Sequence, residues 1–482
     1  MTPATIALVF LAYTALLFIV SYFTSRKADN RAFFIGNKNS PWLVVAYGMV
    51  GASLSGVTFI SVPGWVHTTQ FSYLMVVLGY ILGYGTIAGI LLPLYYRLNL
   101  TSIYTYLEQR FGFWSYKSGA ALFLFSRFIG SSLRMYLVIN VLQIFVFDAW
   151  GVPFGLTVVL FIGLILLYTF KGGIKTIVWT DTLQTTFMLA SVILTLYFVS
   201  KGLNISFWNL VETVRESDYS KVIYTDWQDS RYFLKQFFSG AFIAIVMTGL
   251  DQDMMQKNLS CRTLPDAQKN MVTLSITLVF VNLLFLILGA ALFIYAAQMN
   301  IALPAKTDDV FPLLAFKHMP ALAGVVFIIG LISAAYSSAD SALTALTTSI
   351  SVDFLGLEKT GHHTDMQRKR TRRFVHIFVS LVVLLVIVVF RELNNKAIID
   401  DIFTIAGYTY GPLLGLFAFG LFTKFQVRDR YVPVIALFSP LICYILSVNS
   451  EAWLGGYRFG FELLILNGLI TFFLLWLARI RS

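Results

Sequence analysis

Two arginines, Arg127 and Arg134, stand seven residues apart inside a long apolar stretch, which puts them on nearly the same face of a helix. A guanidinium at that depth either pairs with a buried acid or meets an anionic group of a ligand through a bidentate contact. Ser333, Ser337, Ser341, Thr344 and Thr348, with Asp340 beside them, recur at spacings of three and four, one hydroxyl-bearing helix face. Single serines of this kind often bond back to their own helix. An acid such as Asp340 in an apolar stretch is functional by default, and hard oxygen ligands suit a small hard cation such as sodium. Asp181 opens another apolar stretch within Trp179-Thr180-Asp181-Thr182, either as an N-terminal cap favoured by the helix dipole or as a working acid.

Two further stretches are built to break. Gly51-Ala52-Ser53-Leu54-Ser55-Gly56-Val57-Thr58-Phe59 runs on to Pro63-Gly64. Glycines and small hydroxyls permit tight helix packing, but the Pro63–Gly64 pair favours a true interruption, whose freed carbonyls can hold a cation. Thr248-Gly249-Leu250-Asp251-Gln252-Asp253 repeats the theme. Its acids either end a helix at the cytoplasmic interface or contact a solute.

The elements that position these residues must be membrane helices. The chain has 482 residues, of which 58% are hydrophobic and 12% charged; a soluble chain carries about a quarter charged. Apolar runs lie at about 4–23, 42–66, 72–96, 118–147, 152–170, 176–200, 234–252, 269–298, 320–350, 374–391, 399–422, 431–449 and 459–478. Each is near the roughly 20 residues one helical crossing needs, so an all-α polytopic protein with about 13 transmembrane helices is expected and a β-barrel is not. The two interrupted runs are five spans apart, the pattern of an inverted-repeat transporter with its site at the midplane.

An odd number of spans places the termini on opposite sides. Loops on one side then hold 23 Lys and Arg and those on the other 10, with Arg127 and Arg134 left within a span. The richer side, which includes Arg368, Lys369, Arg370, Arg372 and Arg373, is cytoplasmic by the positive-inside rule. The N-terminus is therefore expected outside and the C-terminus, with Arg479 and Arg481, inside. The first run lacks a basic segment before it and is followed by Arg26, Lys27 and Arg31, so it reads as a retained span rather than a cleaved signal. Residues 202–233 form an external loop and 355–373 a topology-setting charge run. The net charge of +11 belongs to these loops and implies no nucleic-acid partner. Cys261 and Cys443 have no ligand-like spacing, so neither disulfide nor resident metal is assigned. Five histidines without a nucleophile–base arrangement give no reason to expect an enzyme.

Lys171-Gly172-Gly173-Ile174-Lys175-Thr176-Ile177-Val178-Trp179-Thr180-Asp181-Thr182-Leu183-Gln184 resembles the signature at the start of the fifth core helix of the sodium:solute symporter family. Gly51 to Thr58 resembles the family's first core helix, Gly249 to Lys257 its sixth, and Ser333 to Thr348 its eighth. Thr105 to Gly112 is similar to the loop after the second. The likeness runs over about residues 5–450. It implies a LeuT-type core of five plus five inverted helices at about 42–422, an extra N-terminal helix at 4–23 and two C-terminal helices within 431–478, all one transporter domain.

The resemblance also implies roles. One sodium would lie between the first and eighth core helices, on carbonyls of Gly56, Phe59 and Gly330 and the hydroxyl of Ser333. Ala334 stands where a second hydroxyl is usual, and Ser337 and Ser338 follow one turn later. Some members hold a further sodium on an acid matching Asp181 and hydroxyls near Ser337. The sugar branch usually has glutamine where Pro63 falls and an aromatic gate near Met247. The Thr58 and Pro63 pattern is nearer the monocarboxylate, vitamin and iodide branch. Candidate solute contacts are thus Thr58, Pro63, Arg127, Arg134, Met247, Asp251 and Gln252, with Tyr408 and Tyr410 as an external gate or as packing.

The expectation is a sodium-driven symporter of the bacterial-type inner membrane, importing a small organic solute by alternating access and leaning to an anion such as a monocarboxylate, acidic sugar or vitamin-like acid. Na+ is a co-transported ion, and its partners otherwise are the solute and the bilayer, with no obligatory protein partner evident. A proton-coupled or sodium-independent carrier of the same fold, or a neutral sugar or amino-acid symporter, is the alternative.

Overall fold

The computed structural model describes residues 2–24, 33–34, 36–357, 364–393 and 398–480. Arg26, Lys27 and Arg31, and residues 358–363 of the 355–373 charge run, lie outside the described residues. Among the described residues the elements are helices and short turns, with no strand. We number them α1 (Pro3–Thr24), α2 (Trp42–Leu54), α3 (Gly56–Thr69), α4 (73–97), α5 (Phe113–Leu142), α6 (Phe154–Gly172), α7 (Ile174–Gly202), α8 (Phe233–Gly249), α9 (Gln252–Asn258), α10 (Leu264–Gln298), α11 (Ala321–Ser349), α12 (Asp365–Leu393), α13 (Ile398–Phe422), α14 (Val432–Val448) and α15 (Leu463–Leu477).

Every apolar run read from the sequence falls on helix. Among the described residues nine helices are long and apolar enough to cross a membrane, or ten if α8 and α9 form one bent span. Trp42–Leu54, Phe154–Phe170 and Leu463–Leu477 are apolar but shorter. One of the nine, Gly56–Arg97, has 42 residues, about twice what a crossing needs. Gln70, at φ 53° and ψ −142°, turns the chain there between α3 and α4. Within 202–233, expected as a loop, Phe207–Glu216 forms an amphipathic helix that Ser206 caps by accepting the Asn209 N–H at 3.1 Å and that buries Leu210 and Val214.

Both expected interruptions exist, one of them displaced. The first falls at Ser55 (φ 17°, ψ 172°) between α2 and α3, not at Pro63, which sits inside a continuous α3. The ring still removes one N–H and so frees the Phe59 carbonyl a turn earlier. The second bends the chain by 71° between α8 and α9. Close crossings hold the broken helices to their neighbours. A Cβ on Gly79 of α4 would collide with the Phe237 carbonyl of α8, and one on Gly240 with the Val76 carbonyl. Backbones approach this closely only through small residues. On the other side α7 lies along α2 and α11.

Candidate functional site

A helix that stops leaves its last four carbonyls without intrahelical donors. In α2 these belong to Gly51, Ala52, Ser53 and Leu54, and the Ser55 N–H makes no capping bond to them among the described residues. The level of this break is fixed by side chains below it. Gly48 packs on Asp181 of α7, a Cβ there coming within 2.9 Å of the Asp181 Cβ. Asp181 in turn accepts the Ser337 hydroxyl of α11 at 2.9 Å. One turn along α2 the Gly51 N–H donates to Thr185 Oγ1 at 3.1 Å. The carbonyl end of α2 therefore faces the Ser333–Ser338 turns of α11.

Of the carbonyls the resemblance implied, that of Phe59 is freed by the Pro63 ring, whereas those of Gly56 and Gly330 lie elsewhere. Gly56 lies in the first turn of α3, where N–H groups rather than carbonyls are freed. Gly330 is a packing contact, close against Ser191 and the Phe59 ring; that ring also stacks on Phe311 with centroids 5.4 Å apart. Ser333 donates to Tyr13 at 2.8 Å and to the Ile329 carbonyl at 2.6 Å. Ser338 bonds only within its helix, to the carbonyls of Ala334 and Ala335 at 3.2 and 3.0 Å.

Beside the break lies a cavity of about 780 Å³, counting space open to solvent. Thr58, Arg127, Arg134 and Met247 line it, with Tyr80, Tyr84 and Asn282. A second, outer cavity shares Tyr73 and Phe403 with the first and extends past Trp65, Gln236 and Tyr408 to Ser230 and Arg231. Those two rings stand where the outer cavity meets the inner one.

The two arginines have separate fates. Arg127 is buried and paired with the carboxylates of Asp253 and, at 3.6 Å, Asp251. Asp253 also accepts the Ser341 hydroxyl at 3.2 Å. Asp251 accepts a hydrogen bond from Tyr410, and its other oxygen caps α9 through the N–H groups of Asp253 and Met254 at 2.9 and 3.3 Å. The expected alternatives for these acids thus merge: Asp251 is a helix cap, and both acids neutralise Arg127. Arg134, one and a half to two turns on, lines the cavity and makes no hydrogen bond or ion pair among the described residues. Its guanidinium faces the cavity.

Of the other expected solute contacts, Gln252 ties α9 to the 101–103 segment, accepting from the Ile103 N–H at 3.0 Å and donating to the Thr101 carbonyl at 2.8 Å. Pro63 packs against Gly289 of α10. Tyr408 borders only the outer cavity, while Tyr410 is buried on Asp251. Tyr73, Tyr80, Tyr84, Asn282 and Phe403 were missed. The tyrosines recur at seven and four residues along α4, a one-face spacing that was available in the sequence.

All seven residues of α9 are buried although most are polar, and burial at this depth requires partners. Gln256 donates to Thr348 at 2.8 Å, Lys257 to Asp181 at 2.7 Å, and Asn258 accepts from Asn270 at 2.6 Å. With Gln252 and Asp253, this short helix is bonded toward α5, α7, α10 and α11. Met254 of this helix lines the cavity.

The sodium:solute symporter family model matches residues 33–427. The sodium/sialic acid symporter SiaT of Proteus mirabilis is 24% identical over 435 residues, 87% of this chain and 84% of that protein. The sodium/sialic acid symporter NanT of Aliivibrio fischeri is 25% identical over 465 residues, 92% of this chain and 88% of that one. A solved structure of a Na+-coupled sialic acid symporter, in a substrate-bound outward-open state, superposes with a TM-score of 0.84 at 21% identity and covers 99% of each chain.

Proposed function

We propose that this chain, which belongs to the sodium:solute symporter family and has its all-helical LeuT-type fold, imports a small carboxylate-bearing solute together with sodium, an acidic sugar being the best fit. Membership makes it a multi-pass membrane transporter with sodium as the co-transported ion rather than an enzyme. The choice of an anion rests on one observation, the unpaired guanidinium of Arg134 in the cavity beside the broken helix. A carboxylate is its natural bidentate partner. Thr58 and Asn282 supply neutral polar groups, and Tyr80 and Tyr84 flat apolar faces, for a hydroxylated ring. The sialic acid symporters similar to this chain support the same class.

Sodium sits, in this reading, between the carbonyl end of α2, at Gly51 and Leu54, and the Ala334–Ser338 turn of α11. Ala334 contributes a carbonyl, and Ser337 and Ser338 contribute hydroxyl oxygens. Ser337 gives its hydrogen to Asp181, which leaves its lone pairs for a cation. The unwound end of α2 thus carries sodium on one side and, through Thr58, the solute on the other. Sodium binding favours the outward state, because that state assembles both faces of its site. Residues 42–422 form the five-plus-five core, preceded by 4–23 and followed by the two helices of 431–478. The N-terminus lies outside and the C-terminus in the cytoplasm of an inner membrane, as the 23-to-10 division of basic residues supports.

The test is a solute panel. Purified protein in proteoliposomes is offered radiolabelled N-acetylneuraminate, glucuronate, lactate, glucose and proline, each with and without an inward sodium gradient. Sodium-dependent uptake of an acid, competed by other carboxylates, is expected. Preference for glucose or proline over every acid would end the anionic reading.

A further inference from the structure

Lys257 stands three residues before Ser260 in α9 and beyond the 71° bend from α8. Its side chain is 0% exposed and its ammonium lies 2.7 Å from Asp181 Oδ2, itself on a side chain 1% exposed. The other Asp181 oxygen accepts Ser337. Among the described residues its other partner is thus a hydroxyl that also belongs to the turn of α11 proposed to face sodium. A carboxylate beside serine hydroxyls, at membrane depth, is what a second co-transported cation would need. Here that place already holds a monovalent cation, covalently tethered to a helix of the transporter.

We infer that Lys257 acts as a built-in occupant of the Asp181 cation position and so limits this symporter to one sodium per cycle. The inference rests on the sodium-coupled reading above and adds the ion count to it. A sodium ion seated on the Oδ1 side of Asp181 would be on the order of 4 Å from the lysine nitrogen, and at an effective dielectric of about 20 that repulsion weakens binding roughly a thousandfold. Lys257 would have to withdraw for the ion to enter, yet α9 holds it through the bonds of Gln252, Asp253, Gln256 and Asn258 on every side. The sodium proposed between α2 and α11 touches Ser337 on the side away from Asp181, so it stands farther from the ammonium and is repelled less than an ion on the carboxylate itself.

The experiment counts sodium with the ion itself. The full chain in detergent is titrated with ²²Na+ at constant ionic strength under choline replacement, and bound equivalents are measured per protein. Wild type binds one equivalent, and so does Lys257→Arg, which keeps the charge. Lys257→Met vacates the carboxylate and binds two, and the charge-balanced Asp181→Asn/Lys257→Met protein returns to one. Asp181→Asn alone keeps one equivalent. Two equivalents in wild type, with one lost in Asp181→Asn, overturns the inference, as does a folded Lys257→Met protein that still binds one. If Lys257→Met does not fold, the wild-type and Asp181→Asn counts decide on the same terms. No sodium bound by wild type defeats the sodium-coupled reading itself, a result distinct from finding two.

Discussion

Arg134→Ala separates the arginine proposed to bind solute from its structural neighbour. A carboxylate held by two charge-assisted hydrogen bonds gains about 1.5–3 kcal/mol from each. Arg134 is only partly buried and faces a cavity that reaches solvent, so screening discounts the sum by roughly half. About 1.5–3 kcal/mol remains, or roughly a 13- to 160-fold rise in KM for an anionic solute. Arg134→Lys keeps a point charge without the fork and should lose about tenfold. The assay is initial uptake of labelled N-acetylneuraminate into proteoliposomes across solute concentrations, beside the melting temperature of each variant. Because Arg134 makes no hydrogen bond or ion pair among the described residues, the melting temperature should stay near that of wild type. An Arg134→Ala protein with unchanged KM for the acid would refute the assignment, and so would one whose KM for glucose rises as much as its KM for the acid.

Arg127→Met should behave oppositely. It leaves Asp251 and Asp253 buried without a counter-charge, a loss of about 3–5 kcal/mol visible as a melting temperature several degrees lower; unchanged melting would show that the pairing contributes little. Ser338→Ala removes a proposed ligand and should raise half-saturating sodium about tenfold, whereas Ser333→Ala, outside the proposed ligand set, should stay within about twofold; the reverse order in sodium titrations of uptake would move the site one turn along α11. Outside the membrane, hydrogen bonding to Arg231 holds the Asp229 carboxyl below its usual range. Its stabilisation is full at neutral pH and fades as pH falls below about 4. Asp229→Asn should therefore melt slightly earlier than wild type at pH 7, by about 1 kcal/mol or less, and together with it near pH 3. A gap that widened in acid would contradict the pairing.

Much of the fold was legible because lipid leaves helices few ways to vary. Apolar length marks a crossing, and a polar or glycine-rich interruption within that length marks where backbone is freed. The segments at Ser55 and at Leu250–Asp251 stood out for that reason. The exact residue of the first break did not, since Pro63 advertises a kink that α3 absorbs while Ser55 has no such mark. The face shared by Arg127 and Arg134 followed from helical periodicity, but periodicity is silent about which neighbour approaches. Only the 71° turn of α9 decides that Asp253 reaches one arginine and not the other. Gln252 looked like a solute contact for want of knowing that the 101–103 backbone lies against it. Lys257 closed a family-like motif but carried no further mark, because a lysine just after an apolar stretch reads as a topology signal, and only the fold turns its side chain back onto Asp181.

Everything above depends on sodium doing work on the solute. Proteoliposomes carrying the full chain, loaded with potassium and diluted into sodium at matched voltage, should accumulate labelled N-acetylneuraminate above its external concentration, and a sodium ionophore should collapse that excess. Uptake that only equilibrates across the membrane, or that concentrates equally well with choline outside and follows an imposed pH gradient instead, would contradict the account at its centre.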